Sequence, residues 1–125
     1  MVWIPSVEYI KVLFDDVIKS GKLMDRRGLI STLDKVVWGI PFQEVPTIWE
    51  RATILYKEII DHHYFSDGNK RIGSLLAYIF LYKNGFEFSP PEGVVYEVTM
   101  KVAQGMKEFD ELKEWFKSNS TKSSE

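Results

Sequence analysis

Apolar residues recur every three or four positions over most of the chain, which is the spacing of a helix with one buried face. The first such segment follows Ser6, a residue suited to capping a helix, and stops at Gly21. Asp25 precedes a second, shorter segment, and Thr47 with Glu50 forms a capping-box pattern ahead of a third. The pattern therefore predicts three capped helices in the first half of the chain.

The second half contains a helix of a different kind. From Ile72 onward the residues are apolar on nearly every face, up to a stop at Gly85. Such a helix belongs in the middle of a core. Two further helical segments, over 92–104 and from Phe109 to Phe116, complete the set. The predicted fold class is all-α, a compact bundle of about six helices around this central apolar helix.

Two segments break the helical pattern. Residues 39–46 contain two prolines and no helical period, which predicts an exposed flap or β-hairpin. Residues 118–125 are polar and rich in serine, which predicts a frayed, disordered tail. The sequence therefore predicts one domain over residues 1–117, followed by this tail.

The composition of the chain excludes several classes of function. Of its 125 residues 45% are apolar, enough for one compact core. Its 16 Lys and Arg residues nearly balance 18 Asp and Glu, so no general basic field attracts nucleic acid. Cysteine is absent, which excludes disulfides and thiolate metal sites. The longest apolar run, Leu75 to Tyr82, is too short for a bilayer, and we expect a cytoplasmic protein that binds neither nucleic acid nor membrane.

The chemistry of the chain is concentrated in residues 63–71, which join the third and fourth predicted helices. His63 is a titratable base that can take a proton from an alcohol as its oxygen attacks phosphorus. Asp67 supplies the hard oxygen that Mg²⁺ prefers when phosphates and water fill its other positions. Phe65, flanked by polar residues, can insert into the core and fix the loop. These residue types together are typical of a site that handles phosphate.

The last four residues of the stretch fit an anion site at a helix start. Gly68 and Asn69 tolerate unusual backbone angles, so successive N–H groups can form a concave nest. Lys70 and Arg71 place positive charge at the positive end of a helix dipole, which is unfavourable by about 0.3–1 kcal/mol each if exposed. A bound polyphosphate reverses that sign. Arg71 can then grip one phosphate with two hydrogen bonds while Lys70 acts as a point charge on another.

Each of these residues also has a purely structural interpretation. Asp67 alone suits an N-cap, and His62 and His63 suit the end of a helix, where imidazolium is mildly favourable. Lys70 and Arg71 suit an ordinary solvated pair. The functional interpretation rests on the occurrence of all these residues together and in this order.

The stretch resembles the signature of Fic/Doc proteins, in which His-x-Phe-x precedes an acidic residue or Asn, then Gly or Ala, Asn, Gly or Lys, and Arg. The positions that match are His63, Phe65, Asp67, Gly68, Asn69, Lys70 and Arg71. The helical order and the end of the Leu-rich helix resemble the death-on-curing (Doc) branch. The resemblance covers most of residues 6–117 and implies a Fic/Doc-like domain.

The resemblance also implies roles for the residues of the motif. His63 would be the general base and Asp67 the ligand of Mg²⁺. Asn69 and Arg71 would hold the phosphates of ATP and serve catalysis, with Gly68 and Lys70 completing the phosphate site. The implied enzyme is a phosphoryl or nucleotidyl transferase that uses ATP and Mg²⁺.

Two positions bear on which group is transferred. Members that transfer AMP usually have glycine at the position of Lys70 and a second arginine at that of Ser74. The lysine form goes with transfer of the terminal phosphate of ATP to a protein hydroxyl, and we expect this kinase activity. Gly68 is more usual among AMP-transferring members, so AMP transfer stays open as the alternative.

Partners follow from the same resemblance. Residues 39–46 would align an extended target segment by main-chain pairing. Doc-type toxins are silenced by a small Phd-like antitoxin, and their target is a threonine of elongation factor Tu. Two alternatives come from other classes: a metal phosphohydrolase, suggested by Asp61-His62-His63 with Asp67, and a non-catalytic module that binds a peptide.

Overall fold

The computed structural model describes residues 1–40 and 43–123. Within these residues, six helices and two short strands follow one another as α1 (Val7–Val17), α2 (Arg26–Trp38), α3 (Ile48–His62), α4 (Asn69–Lys83), β1 (Phe86–Phe88), α5 (Val94–Ala103), α6 (Phe109–Ser118) and β2 (Ser120–Lys122). The all-α fold class predicted from the sequence is confirmed. None of the described helices is long and apolar enough to cross a membrane.

The predicted helix starts are confirmed by their capping bonds. Ser6 and Asp25 each accept a hydrogen bond from a backbone N–H three residues further on, at 3.0 Å and 2.8 Å. Thr47 and Glu50 exchange two such bonds, each side chain accepting from the other's backbone N–H. Because these bonds satisfy N–H groups that have no partner inside the helix, they set where α1, α2 and α3 begin.

Two helices share the centre of the core. Helix α3 packs against α2, α4, α5 and α6, whereas α4 packs against α1, α3, α5 and β1. The predicted apolar helix, α4, thus lies in the core, and α3, which packs against more of the other helices, shares the centre with it. On α4 the fully covered positions are Ile72, Gly73, Leu76, Ala77, Phe80 and Leu81. Of the remaining apolar residues of α4, Leu75 and Tyr78 line a groove described below.

The chain end differs from the prediction. Strand β2 pairs antiparallel with β1, with Phe88 opposite Ser120 and Phe86 opposite Lys122. The predicted disordered tail over 118–125 is thus wrong as far as residue 123, and residues 124 and 125 lie outside the described part. The physical reason is that the backbone of β1 needs partners, and an outer strand supplies them whatever its side chains are. Polar side chains suit β2 because its Thr121 and Lys122 are exposed.

In its described part, the predicted flap is an irregular connection. Gly39 ends α2 with φ 80° and donates its N–H to Lys35, and the N–H of Gln43 bonds to the carbonyl of Ile40 at 3.1 Å. Residues 39–40 and 43–46 contain no strand, and Pro41 and Phe42 lie outside the described residues. The two-stranded sheet of the described chain is instead the β1–β2 pair.

Candidate active site

The loop between α3 and α4 carries the motif and starts with a sharp change of direction. Helix α3 ends at His62, and His63 takes up left-handed backbone angles with φ 53°, its N–H still bonded to the carbonyl of Ile59. The chain then turns inward, so that Phe65 is buried and stacks on Phe14 with ring centroids 4.2 Å apart. The prediction that Phe65 fixes the loop in the core is confirmed. His63 itself stays exposed.

A reciprocal pair of hydrogen bonds closes the loop. The Asn69 side chain accepts the backbone N–H of Phe65 at 3.0 Å and donates to the Phe65 carbonyl at 2.7 Å. One donor and one acceptor of this amide therefore serve the loop. The expectation that Asn69 also holds phosphate stays a prediction, while its part in shaping the loop is shown.

The segment between α1 and α2 holds the loop from its other side. Ser66 exchanges hydrogen bonds with the backbone of Lys22, both at 2.9 Å. The carbonyl of Tyr64 accepts the N–H groups of Met24 and Asp25 at 2.8 Å and 3.0 Å. These contacts join residues about 40 positions apart, which is why the sequence pattern did not reveal them.

Tyr64 anchors the loop a second time through its hydroxyl. That oxygen lies 2.7 Å from the hydroxyl of the buried Thr32, which donates to Glu58 at 2.8 Å. Lys35 bonds the other oxygen of Glu58 at 3.0 Å. Burial raises the pKa of Tyr64, so its hydroxyl stays protonated. Tyr64 is thus a structural residue of the site that the motif does not specify.

No side chain caps the start of α4. The N-cap residue is Gly68, with φ 75°. Asp67 accepts the N–H of Gly68 at 2.8 Å, so its carboxylate lies beside the helix start without capping it. A Cβ atom at residue 68 would come within 2.9 Å of Ile18, which together with the positive φ explains glycine here. The interpretation of Asp67 as an ordinary N-cap is therefore wrong.

A groove of about 980 Å³ opens above this helix start. Asp67, Gly68, Asn69, Lys70 and Arg71 form one end of it. The rest of its lining is mainly apolar and includes a wall formed by Leu75, Tyr78, Phe88, Val95, Tyr96 and Met100. The sequence pattern missed this wall, because α5 and β1 are distant from the motif along the chain.

The charge of the groove is concentrated at the motif. Lys70 and Arg71 are its cations and Asp67 its one acidic residue, counted over the described lining. Helix α4 has no acidic residue in its first turn. Within residues 1–40 and 43–123 the side chains of Lys70 and Arg71 form neither an ion pair nor a hydrogen bond. Two unpaired cations beside a helix N-terminus are suited to binding an anion.

The groove brings together five of the seven residues that match the motif. Phe65 is in the core below it, and His63 is exposed beyond the described lining. Ser74, one turn after Lys70, also lines the groove. The residues proposed for phosphate and metal binding thus share one site, with the proposed base outside its lining.

The donor set around Asp67 is limited. No three His, Cys, Asp or Glu residues of the described chain converge as they would in a metal centre made by protein alone. Asp61 pairs with Lys57, and the ring of His62 stacks on Tyr64 at 5.7 Å, so these two residues are engaged elsewhere. A single carboxylate beside a phosphate-binding end suits Mg²⁺, which keeps several waters and ligand phosphates around it. Among the described residues, no cluster of such ligands supports the metal phosphohydrolase alternative.

Comparison with known proteins agrees with the motif. A family model described as the Fic/DOC family matches residues 9–81, which is more than half of the chain and includes the entire loop. A search of curated proteins finds no match.

Proposed function

Since the chain belongs to the Fic/DOC family, we propose that it is a protein phosphotransferase that uses ATP and Mg²⁺. It transfers the terminal phosphate of ATP to a serine or threonine hydroxyl of a target protein. The observation that carries the proposal is that two unpaired cations, Lys70 and Arg71, lie in the first turn of α4 and line the groove.

The electrostatics of that end favour a polyphosphate. Each cation interacts unfavourably with the positive end of the helix dipole, at a cost of about 0.3–1 kcal/mol. A bound anion beside the two cations and the helix start removes this cost. A guanidinium matches two oxygens of one phosphate, whereas an ammonium follows a second phosphate as a point charge. The backbone N–H groups of residues 69–71 add donors that no side chain caps.

The rest of the groove supports a nucleoside at the other end. Its wall is apolar and contains two exposed tyrosines, Tyr78 and Tyr96. Flat, apolar surfaces with a few polar atoms are what a purine base binds. A groove with a cationic end and an aromatic end matches the polarity of a nucleoside triphosphate.

The chain's own residues then perform a simple substitution at phosphorus. His63 takes the proton of the target hydroxyl as its oxygen forms a bond to the γ-phosphorus. The bond from the γ-phosphorus to its bridging oxygen breaks, and ADP leaves with that electron pair. Lys70 and Arg71 hold the charge that spreads over the phosphate oxygens. Asp67 would hold Mg²⁺, which when bound neutralises charge on the phosphates.

Two residues favour the γ-phosphate over the α-phosphate as the reacting group. Lys70 fills space where AMP-transferring members have glycine, and Ser74 stands in the place of their second arginine. The AMP-transfer alternative has one supporting observation, Gly68, whose left-handed backbone and contact with Ile18 leave no room for a Cβ atom. In that reaction the hydroxyl attacks the α-phosphorus, and pyrophosphate leaves.

Partners are part of the proposal. The target is a translation factor, with a threonine of elongation factor Tu as the first candidate, and residues 39–46 align it. A Phd-like antitoxin silences the enzyme. These partners follow from resemblance to the Doc branch. A pull-down with the candidate factor tests the target, and a pull-down with a Phd-like protein tests the antitoxin.

Labelled ATP distinguishes the two reactions. The protein is incubated with a cell extract and ATP labelled at the α- or the γ-phosphate, and labelled proteins are separated. We expect label from the γ-position only, and none with H63N. Label from the α-position would establish AMP transfer instead. Undiminished labelling by H63N would remove the proposed base, and no labelling by the wild type would contradict the transferase proposal.

A further inference from the structure

Three hydroxyl groups form a line from the core to the lining of the groove. The Tyr56 hydroxyl on α3 lies 2.6 Å from Thr99 Oγ1 on α5. Thr99 Oγ1 lies 3.2 Å from Ser74 Oγ on α4, and Ser74 donates to the carbonyl of Lys70 at 2.8 Å. The line therefore joins three helices and ends at the residue that carries one of the groove's cations.

The direction of these bonds can be deduced, because each hydroxyl has a single hydrogen. Ser74 uses its hydrogen on the carbonyl of Lys70, which can only accept. Ser74 must then accept from Thr99, and Thr99 must accept from Tyr56. Burial raises the pKa of Tyr56 to about 12, which is consistent with a phenol that remains protonated and acts as donor.

This direction determines what Ser74 offers to a ligand. Its hydrogen points back into the helix, so only an oxygen lone pair faces the groove. A lone pair repels phosphate oxygens and accepts from a donor such as a ribose hydroxyl or an exocyclic amine. The groove surface at Ser74 thus excludes phosphate, although Lys70 lies only one turn away.

The line also fixes the two sides of the groove relative to each other. Thr99 is 5% exposed and Tyr56 is 1% exposed, so both hydroxyls lie in the core behind the groove. Helix α5 supplies Tyr96 and Met100 to the apolar wall. Tyr56 and Thr99 therefore hold this wall against the start of α4.

We infer that Tyr56, Thr99 and Ser74 act together as positioning residues that make the groove accept the nucleoside part of the ligand at Ser74 and confine its phosphates to the first turn of α4. This inference rests on the proposed function, in that the ligand is ATP. The three residues take no part in the transfer step and determine the orientation of the bound nucleotide.

The test compares ATP with inorganic tripolyphosphate, which carries the phosphates without the nucleoside. Binding of each, with Mg²⁺, is measured by calorimetry for wild type, T99V and T99S. T99V keeps the shape of the side chain and removes the hydroxyl. We expect T99V to bind ATP roughly three- to tenfold more weakly, the usual effect of one lost hydrogen bond, with tripolyphosphate binding unchanged and T99S close to wild type. The control R71A should weaken both ligands.

A double variant controls for the possibility that T99V does not fold. T99V leaves the buried Tyr56 hydroxyl without its acceptor, whereas Y56F/T99V removes both partners and restores an apolar core. The double variant should show the same selective loss of ATP binding. Equal effects on both ligands, or none on either, would overturn the inference while leaving the proposed function intact. Failure of the wild type to bind ATP and tripolyphosphate would overturn both.

Discussion

The Asn69 side chain clamps the main chain of Phe65, accepting from its N–H at 3.0 Å and donating to its carbonyl at 2.7 Å. Phe65 is at the same time held in the core by its ring, which stacks on Phe14. The backbone and the side chain of one residue are thus fixed by two different parts of the fold. His63 and Asp67 lie on either side of Phe65, so the clamp sets the shape of the loop that carries both.

The clamp can be tested with N69A. The substitution leaves a backbone N–H and a carbonyl of a half-buried loop without partners, and we expect a loss of about 1–3 kcal/mol in the free energy of unfolding. Urea denaturation measures it. Transfer activity should fall far more than stability explains, because the loop no longer holds its residues in place.

Asn84 provides a matched control for that experiment. Its side chain makes a similar clamp, accepting from the Trp3 N–H at 2.8 Å and donating to the Trp3 carbonyl at 3.0 Å, away from the groove. N84A should lose comparable stability and keep its transfer activity where it is folded. Equal loss of activity in the two variants would mean that stability alone explains the effect of N69A.

The cations of α4 should have opposite effects on stability and on activity. In the absence of ligand, K70A and R71A remove charge from the positive end of the dipole, so each should raise the free energy of unfolding by about 0.3–1 kcal/mol. Both should weaken ATP binding, R71A more strongly because it loses two hydrogen bonds to one phosphate. Thermal unfolding with and without Mg-ATP measures both effects.

Lys83, in the last turn of the same helix, serves as the reference for this pair. There a cation is favourable to the dipole, and its ammonium lies 5.9 Å from the centre of the Trp3 ring. K83A should therefore lower stability and leave ATP binding unchanged. Destabilisation by K70A and R71A would show that their charges stabilise the helix start without any ligand.

Because His63 has a left-handed backbone, one substitution can test its role as a base separately from its effect on stability. A left-handed φ of 53° is unfavourable for most residues, and Asn is among the side chains that tolerate it best. H63N should therefore be at least as stable as wild type, yet lose transfer activity by roughly 10²-fold or more, since an amide cannot act as a base. H62N, at the neighbouring exposed position, should retain activity. Loss of transfer in H62N, with H63N still active, would show that the base is His62 rather than His63.

The buried phenol of Tyr56 predicts a dependence of stability on alkaline pH. Burial raises its pKa from about 10 to about 12, so the folded state binds this proton more tightly than the unfolded state. The stabilisation is complete below pH 10 and is lost as the pH rises from 10 to 12, by about 3 kcal/mol in all. Y56F lacks this dependence. The difference in unfolding free energy between wild type and Y56F should shift in favour of Y56F over that range, and a constant difference would contradict the assignment.

Local features of the fold were predictable from the sequence, because they depend on neighbours along the chain. The caps at Ser6, Asp25 and Thr47 act within three residues, and helical spacing determines which face of a helix is buried. The motif could be located for the same reason. Its residues are consecutive, so one loop suffices to bring most of them to the groove.

Features that depend on contacts between distant parts of the chain were not predicted from the sequence. Ser120 pairs with Phe88, and Tyr64 bonds Thr32, although nothing in the local pattern of either segment indicates a partner. Leu75 was assigned to the apolar core helix, whereas it lines the groove. An apolar residue that faces a ligand has the same sequence pattern as one that faces the core, and only the packing of α5 distinguishes them.

The chain end offers the last prediction, because β2 pairs with β1, whose Phe88 lines the groove. Phe88, whose strand β2 covers, is buried and lines the apolar wall. Removal of residues 120–125 would leave the main chain of β1 without its partner and Phe88 more mobile. We expect a loss of about 1–3 kcal/mol in unfolding free energy and weaker ATP binding, with tripolyphosphate binding unaffected. The control T121V changes an exposed side chain and keeps the pairing, so it should behave as wild type. ATP binding at wild-type strength after removal of residues 120–125 would show that β1 holds the apolar wall without β2.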